Sequence, residues 1–219
     1  MSRFRECLRL YLVTDRDLAG GRPLAEIVRL ALRGGVTAVQ LREKSLGASR
    51  FLEEVLELQR VLAGTGVPLV VNDRVDVALA ARADGVHVGQ DDLPAAEARR
   101  LVGPAMLLGV SVATADQACK ALSDGADYVS VSPVYLTPTK PDAELAVGLE
   151  GVARVRSVAG DAPVLAIGGI NAGNARAVVA AGSDGVAVVS AVMSAPDPEA
   201  AAADLRREVD AGLELRRGR

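Results

Sequence analysis

Eight short runs of Val, Leu, Ile and Ala recur along the chain, each followed by polar or glycine residues and then by a segment with helical periodicity. No other feature restricts the fold as much. The runs lie at 11–13, 38–41, 69–71, 86–88, 107–110, 128–131, 164–167 and 186–189. Their apolar residues are nearly continuous, as parallel strands covered on both faces require. Helical patterns lie between them at about 23–34, 48–63, 74–82, 94–102, 115–124, 149–158 and 172–181, with a last one near 197–213. Ala83-Asp84-Gly85-Val86, Ala126-Asp127-Tyr128-Val129 and Ser183-Asp184-Gly185-Val186 each close a helix and open a strand in the same way, which reads as one βα unit repeated. Thr114 and Gln117 have capping-box spacing, and Gly125 and Gly182 stand where helix C-caps belong. Eight such units in 219 residues leave little room for insertions. They predict an α/β fold, a single-domain (β/α)8 TIM barrel over residues 1–219, in preference to an open doubly wound sheet.

Composition narrows the partners. A net charge of −3 supplies no basic field for a phosphate backbone, and five aromatics without Trp give few platforms for stacking bases, so nucleic acid is excluded. Cys7 and Cys119 have no disulfide or metal spacing, which suits a reducing cytoplasm. The first ten residues mix charges with apolar groups, and no run reaches the roughly 18 apolar residues of a membrane span. The expectation is a soluble, unprocessed, cytoplasmic protein without a membrane partner.

In a barrel of this kind the site stands on the loops after the C-terminal ends of the strands. Those positions here hold Thr14 and Asp15; Gln40, Arg42, Glu43 and Lys44; Asn72 and Asp73; Gln90, Asp91 and Asp92; and Ser111. After the sixth strand come Ser132, Thr137, Thr139 and Lys140, then Gly168-Gly169 after the seventh and Val189-Ser190 after the eighth. The opposite junctions hold mainly Gly, Ala and Asp turn residues. Cations and glycine amides on one rim point to phosphorylated small molecules. Gly168-Gly169 leads into a helix expected from Asn171, and Arg42, Lys44 and Lys140 suit a second, more highly charged phosphoryl group. Asp73 and Asp92 are hard oxygen donors that, facing a pyrophosphate, would suit Mg²⁺. Taken singly, Asp73 and Asp92 read equally well as helix N-caps, and the run 42–44 as a solvated loop. The lone His87, inside a strand, reads as a hydrogen-bonded core residue, so no Ser/His/Asp or Cys/His constellation is available. The long connection 132–148, with Pro133, Pro138 and Pro141, has the length of a functional loop.

Seven motifs in order carry a family resemblance: Tyr11-Leu12-Val13-Thr14-Asp15, Gln40-Leu41-Arg42-Glu43-Lys44, Val71-Asn72-Asp73-Arg74, Gly85-Val86-His87-Val88-Gly89-Gln90-Asp91-Asp92, Thr137-Pro138-Thr139-Lys140, Ile167-Gly168-Gly169-Ile170 and Val188-Val189-Ser190-Ala191. The series resembles that of thiamine-phosphate synthases, a (β/α)8 family that joins a hydroxymethyl-aminopyrimidine diphosphate to a thiazole ethyl phosphate, or its carboxylated form, and releases pyrophosphate. The resemblance implies that Gln40, Leu41, Arg42, Glu43, Lys44 and Asn72 contact the pyrimidine diphosphate, with Ser111 and Lys140 holding the diphosphate. Arg42, Lys44, Ser111 and Lys140 would be the catalytic set. Asp73 and Asp92 would bind Mg²⁺, and Thr137, Pro138, Thr139, Gly169, Val189 and Ser190 would surround the thiazole phosphate. Ser132 and Leu136 depart from the family's usual Gly and Pro, and Tyr135 is the aromatic expected near substrate. Two further readings are a thiazole tautomerase-like isomerase and a catalytically silent phosphate-binding barrel; a homodimer is left open.

Overall fold

The computed structural model describes residues 2–137 and 145–218, with the side chains of residues 2–4 excepted. Pro138, Thr139, Lys140 and Pro141 lie outside the described residues. The eight apolar runs become eight parallel strands: β1 (Leu10–Val13), β2 (Ala38–Leu41), β3 (Leu69–Asn72), β4 (Gly85–Val88), β5 (Leu107–Val112), β6 (Tyr128–Val131), β7 (Val164–Ile167) and β8 (Gly185–Val188). They pair in chain order and close into a barrel, with Tyr11 of β1 opposite Ala38 of β2 on one side and Ala187 of β8 on the other.

The helices between them are α2 (Leu24–Arg33), α3 (Ala48–Leu62), α4 (Val75–Ala81), α5 (Ala95–Val102), α6 (Ala115–Ser123), α7 (Gly148–Val158) and α8 (Ala175–Ala180), with α10 (Pro198–Arg217) closing the ring. As expected from the capping spacing, Thr114 Oγ1 accepts from Gln117 N at 3.2 Å, while Gln117 Oε1 accepts from Ala113 N at 2.7 Å. Gly125 and Gly182 have φ of 97° and 132°, conformations an L side chain rarely adopts. No described helix is long and apolar enough to cross a membrane.

Two-residue periodicity divides each strand between two cores. Leu12, Leu41, Val71 and Val86 face the helices and pack with Ile27, Phe51 and Val55. Tyr11, Val13, Ala38, Val70, Tyr128, Leu165 and Ala187 form a second cluster with Leu8. Two tyrosines occupy this interior, together with the buried polar side chains of Gln40, His87 and Ser130.

The recurring Asp has a structural reason. At each helix-to-strand turn its carboxylate crosses to the adjacent strand: Asp84, Asp127 and Asp184 Oδ2 accept from Leu69 N (2.8 Å), Leu108 N (2.8 Å) and Val164 N (2.9 Å). Asp184, only 4% exposed, also binds Arg5 (3.2 Å), Arg156 (3.1 Å) and Arg216 (2.8 Å). It thereby fastens α1 (Ser2–Cys7) and α10 to the N-terminal pole of the barrel, where stability and not chemistry is expected.

Three short elements were not anticipated: α1, a 3₁₀ turn at Asp17–Ala19, and α9 (Ser190–Met193) directly after β8. Conversely, the helix after β7 starts at Ala175 and not at Asn171. Asn171 Oδ1 accepts from Gly173 N and Asn174 Oδ1 from Asn171 N, both at 2.9 Å, and these side-chain bonds hold a turn where the helix would have begun.

Candidate active site

The C-terminal mouth of the barrel opens on a cavity of about 240 Å³. This is near the lower end of small-molecule sites, roughly 300 Å³ upward, and so matches a heteroaromatic ring better than a polymer. Each loop contributes through its local geometry. From β2, Gln40 points inward while Arg42 and Lys44 reach the rim. Asn72 and Asp73 enter from the end of β3, Asp92 from the loop after β4, and Ser111 from within β5. Thr137 and Gly169 line the wall, and Val189 and Ser190 complete it after β8. The structure thus brings together eleven of the residues picked from sequence.

The side chains of two residues of the 40–44 motif, Leu41 and Glu43, do not line the cavity. Leu41 alternates with Gln40, so its side chain is fully buried among the helices. Glu43 turns back to its own loop, where Oε1 accepts from Ser45 N and Oγ at 2.9 Å and Oε2 from Arg16 Nε at 3.0 Å. Burial would raise its pKa, but the hydrogen bonds from Ser45 and Arg16 hold the carboxyl below its ordinary range. Glu43 is therefore an ionised strut that shapes the loop carrying Arg42 and Lys44.

The two cations are held differently. Arg42 Nη1 donates to Asp15 Oδ2 at 2.9 Å, and the backbone N of Arg42 donates to Thr14 Oγ1 at 3.2 Å. Asp15 is itself fixed by the amides of Asp17 (3.1 Å) and Leu18 (3.2 Å), so the guanidinium has a rigid support. Lys44 Nζ bonds Asp73 Oδ2 at 2.5 Å, with the lysine side chain 58% exposed. An exposed pair of this kind contributes about 0–1 kcal/mol, so exchanging it for a phosphate or a metal ion costs little.

Neither acidic residue acts as a helix N-cap. The caps of α4 and α5 are Arg74 and Pro94, without side-chain hydrogen bonds. Asp73 instead sits in the left-handed region at φ 61°, and Asp92 Oδ2 accepts from Gly89 N at 2.7 Å. Burial first, and then the neighbouring Asp73 carboxyl, raises the pKa of Asp92. Among the described residues no third His, Cys, Asp or Glu joins them. The donor set fits Mg²⁺, which keeps water and takes substrate phosphate oxygens beside one or two carboxylates.

Gly168 and Gly169 have φ of 107° and 64°, and a Cβ on either would press on Pro133 or Tyr135 at 2.7 Å. Their absence of side chains lets the loop after β6 lie across β7, where Val134 N donates to Ile167 O (2.9 Å) and Tyr135 N to Gly168 O (3.0 Å). Tyr135 consequently packs against the core and does not line the cavity, while Tyr11 does. Residues given no place at the site from sequence are Tyr11 and Ser130 inside the barrel; His87 is the hydrogen-bonded core residue expected, yet it also lines the cavity, and Asp15, read on the rim, stands behind Arg42. Inward polar residues at alternating strand positions were the signal that could have found them.

The comparisons agree with this geometry. A family model described as thiamine monophosphate synthase matches residues 10–192. The chain is 52% identical over 206 residues to the thiamine-phosphate synthase of Albidiferax ferrireducens, with 94% of each covered. It is 56% identical over 195 residues to that of Roseiflexus castenholzii, covering 88% of this chain and 84% of the relative. The solved thiamine phosphate pyrophosphorylase of Pyrococcus furiosus superimposes with a TM-score of 0.88 at 41% identity, over 96% of this chain and 99% of that one. The chain belongs to the thiamine-phosphate synthase family.

Proposed function

We propose that the protein condenses 4-amino-2-methyl-5-(diphosphomethyl)pyrimidine with 4-methyl-5-(2-phosphoethyl)thiazole, releasing pyrophosphate and forming thiamine phosphate. The observation that carries this reading is the meeting of Arg42 and Lys44 with the Asp73–Asp92 pair at the mouth of one cavity, in a chain of this family.

The C–O bond between the pyrimidine methylene and the diphosphate breaks, and the electron pair leaves with pyrophosphate. Arg42 and Lys44 neutralise the departing charge, joined by Lys140 on the strength of the 137–140 motif, while Ser111 donates a hydrogen bond to it. Mg²⁺, held by Asp73 and Asp92, would act as a Lewis acid on the diphosphate oxygens. Gln40 and Asn72 orient the pyrimidine, whose amino-substituted ring bears the methylene cation. Thr137, Gly169, Val189 and Ser190, with Pro138 and Thr139 beside them in sequence, hold the thiazole phosphate so that the ring nitrogen faces that carbon. Its lone pair forms the C–N bond, and no proton is removed. A site without a histidine base is sufficient, consistent with His87 being engaged at both ring nitrogens.

The test is pyrophosphate release from the pyrimidine diphosphate. Release that requires thiazole phosphate and a divalent cation supports the reading; folded protein that binds both phosphates without releasing pyrophosphate overturns it.

A further inference from the structure

A hydrogen-bonded chain crosses the barrel interior beneath the cavity. Gln40 Nε2 donates to Tyr11 Oη at 3.0 Å, Tyr11 Oη lies 3.0 Å from Tyr128 Oη, and Tyr128 Oη lies 3.1 Å from His87 Nδ1. His87 Nε2 then stands 2.9 Å from Ser111 Oγ. Five strands contribute one residue each, and all but Ser111 are buried. The chain starts and ends on residues assigned above to substrate.

The proton order follows from donor inventory. The phenol of Tyr11 receives the Gln40 amide, and an amide nitrogen cannot accept in return, so the Tyr11 proton goes to Tyr128. Continued in the same sense along the chain, Tyr128 donates to His87 Nδ1, 3.1 Å away, which is the step the experiment below tests. With Nδ1 an acceptor, the neutral ring carries its proton on Nε2 and donates to Ser111 Oγ, and the Ser111 proton is directed away from the imidazole, into the cavity. Gly109 makes this arrangement possible, because a Cβ there would collide with His87 Nδ1 and Tyr128 Oη. Burial keeps both phenols protonated, raising Tyr11 to about 12 and Tyr128 well above its ordinary value.

We infer that His87 is a positioning residue: fixed as the Nε2–H tautomer by Tyr128, it turns the Ser111 hydroxyl outward as a hydrogen-bond donor to an anionic substrate. The identity of that anion rests on the synthase reading; the tautomer does not.

The chain has one histidine, so ¹⁵N-histidine NMR of the full-length protein reads the tautomer directly, without substrate. The expected spectrum shows a bare Nδ1 and a protonated Nε2. Tyr128→Phe should move the proton partly onto Nδ1. A protonated Nδ1 in the wild-type protein, or an unchanged tautomer in a folded Tyr128→Phe variant, overturns the inference; should that variant not fold, the wild-type spectrum decides. In kinetics, His87→Gln places an amide near Nε2 and should preserve KM for the pyrimidine diphosphate. His87→Asn reaches only the Tyr128 side and should raise KM roughly tenfold or more, as for a lost hydrogen bond to a charged group. Equal behaviour of the two variants contradicts the role. Wild-type protein with the expected spectrum but no turnover would overturn the synthase reading while leaving the tautomer assignment intact.

Discussion

Lys44 Nζ stands 2.5 Å from Asp73 Oδ2, joining the loop after β2 to the end of β3 at the rim of the cavity. Each side chain neutralises the other, and in the proposed reaction Lys44 would turn to phosphate and Asp73 to metal when a diphosphate and a cation arrive. The pair stores the site's charges close to where they act, at small energetic cost.

Asp73→Asn separates charge from backbone geometry. Asn tolerates the left-handed φ of 61° as Asp does, whereas Ala at that position would add backbone strain. The Asn variant should melt within a few degrees of wild type and lose on the order of 10²–10³ in kcat/KM, the usual scale for removing one electrostatic group from a charge-developing site. Kinetics with unchanged Mg²⁺ dependence would refute the ligand role.

Asp15→Asn tests the support behind Arg42. The neutral amide keeps an acceptor for the Asp17 and Leu18 amides but loses the ion pair that aims the guanidinium. The expected outcome is a KM for the pyrimidine diphosphate raised roughly tenfold, since about 1.4 kcal/mol of lost orientation has that effect. Equal KM values in steady-state assays would show that Arg42 needs no such support.

The barrel was legible in the sequence because strands buried on both faces leave uninterrupted apolar runs, and the turn Asp and Gly residues repeat with them. The rim was legible because Arg42, Lys44, Asp73 and Asp92 have no reason to gather on one end of a barrel by packing alone. That the Leu41 and Glu43 side chains leave the cavity was not legible, because a contiguous motif conceals both the strand alternation that turns Leu41 to the helices and the bonds from Ser45 and Arg16 that turn Glu43 away. The Tyr11–Tyr128–His87 chain was missed for a related reason, since it links residues 41 and 117 positions apart that only barrel closure brings together. The start of α8 was misplaced because Asn171 and Asn174 form local side-chain bonds that no periodicity reveals.

Asp184→Ala should be costly far from the chemistry. It removes the acceptor for Val164 N and leaves Arg5, Arg156 and Arg216 facing one another in a partly buried site. Breaking such a network typically costs about 3–5 kcal/mol, which for a chain of this size lowers the melting temperature by on the order of 10 °C. At temperatures where the variant remains folded, KM should match wild type. A melting temperature unchanged by calorimetry would contradict the clamp.

Alkaline pH should loosen the interior. Tyr11 is fully buried, and its pKa is raised from 10.0 to about 12, so the folded state holds the protonated phenol more tightly than the unfolded chain does. That contribution is complete below pH 10 and is lost between pH 10 and about 12, amounting to on the order of 2–3 kcal/mol. Urea unfolding across this window should give a shallower fall in stability for Tyr11→Phe than for wild type; parallel curves would show that the phenol is not the group responsible.

The most direct measurement is chromatographic detection of thiamine phosphate from purified protein given the pyrimidine diphosphate, the thiazole phosphate and Mg²⁺. The account predicts thiamine phosphate and pyrophosphate in equal amounts, with both abolished when the metal is chelated. Folded protein that forms neither product would contradict it.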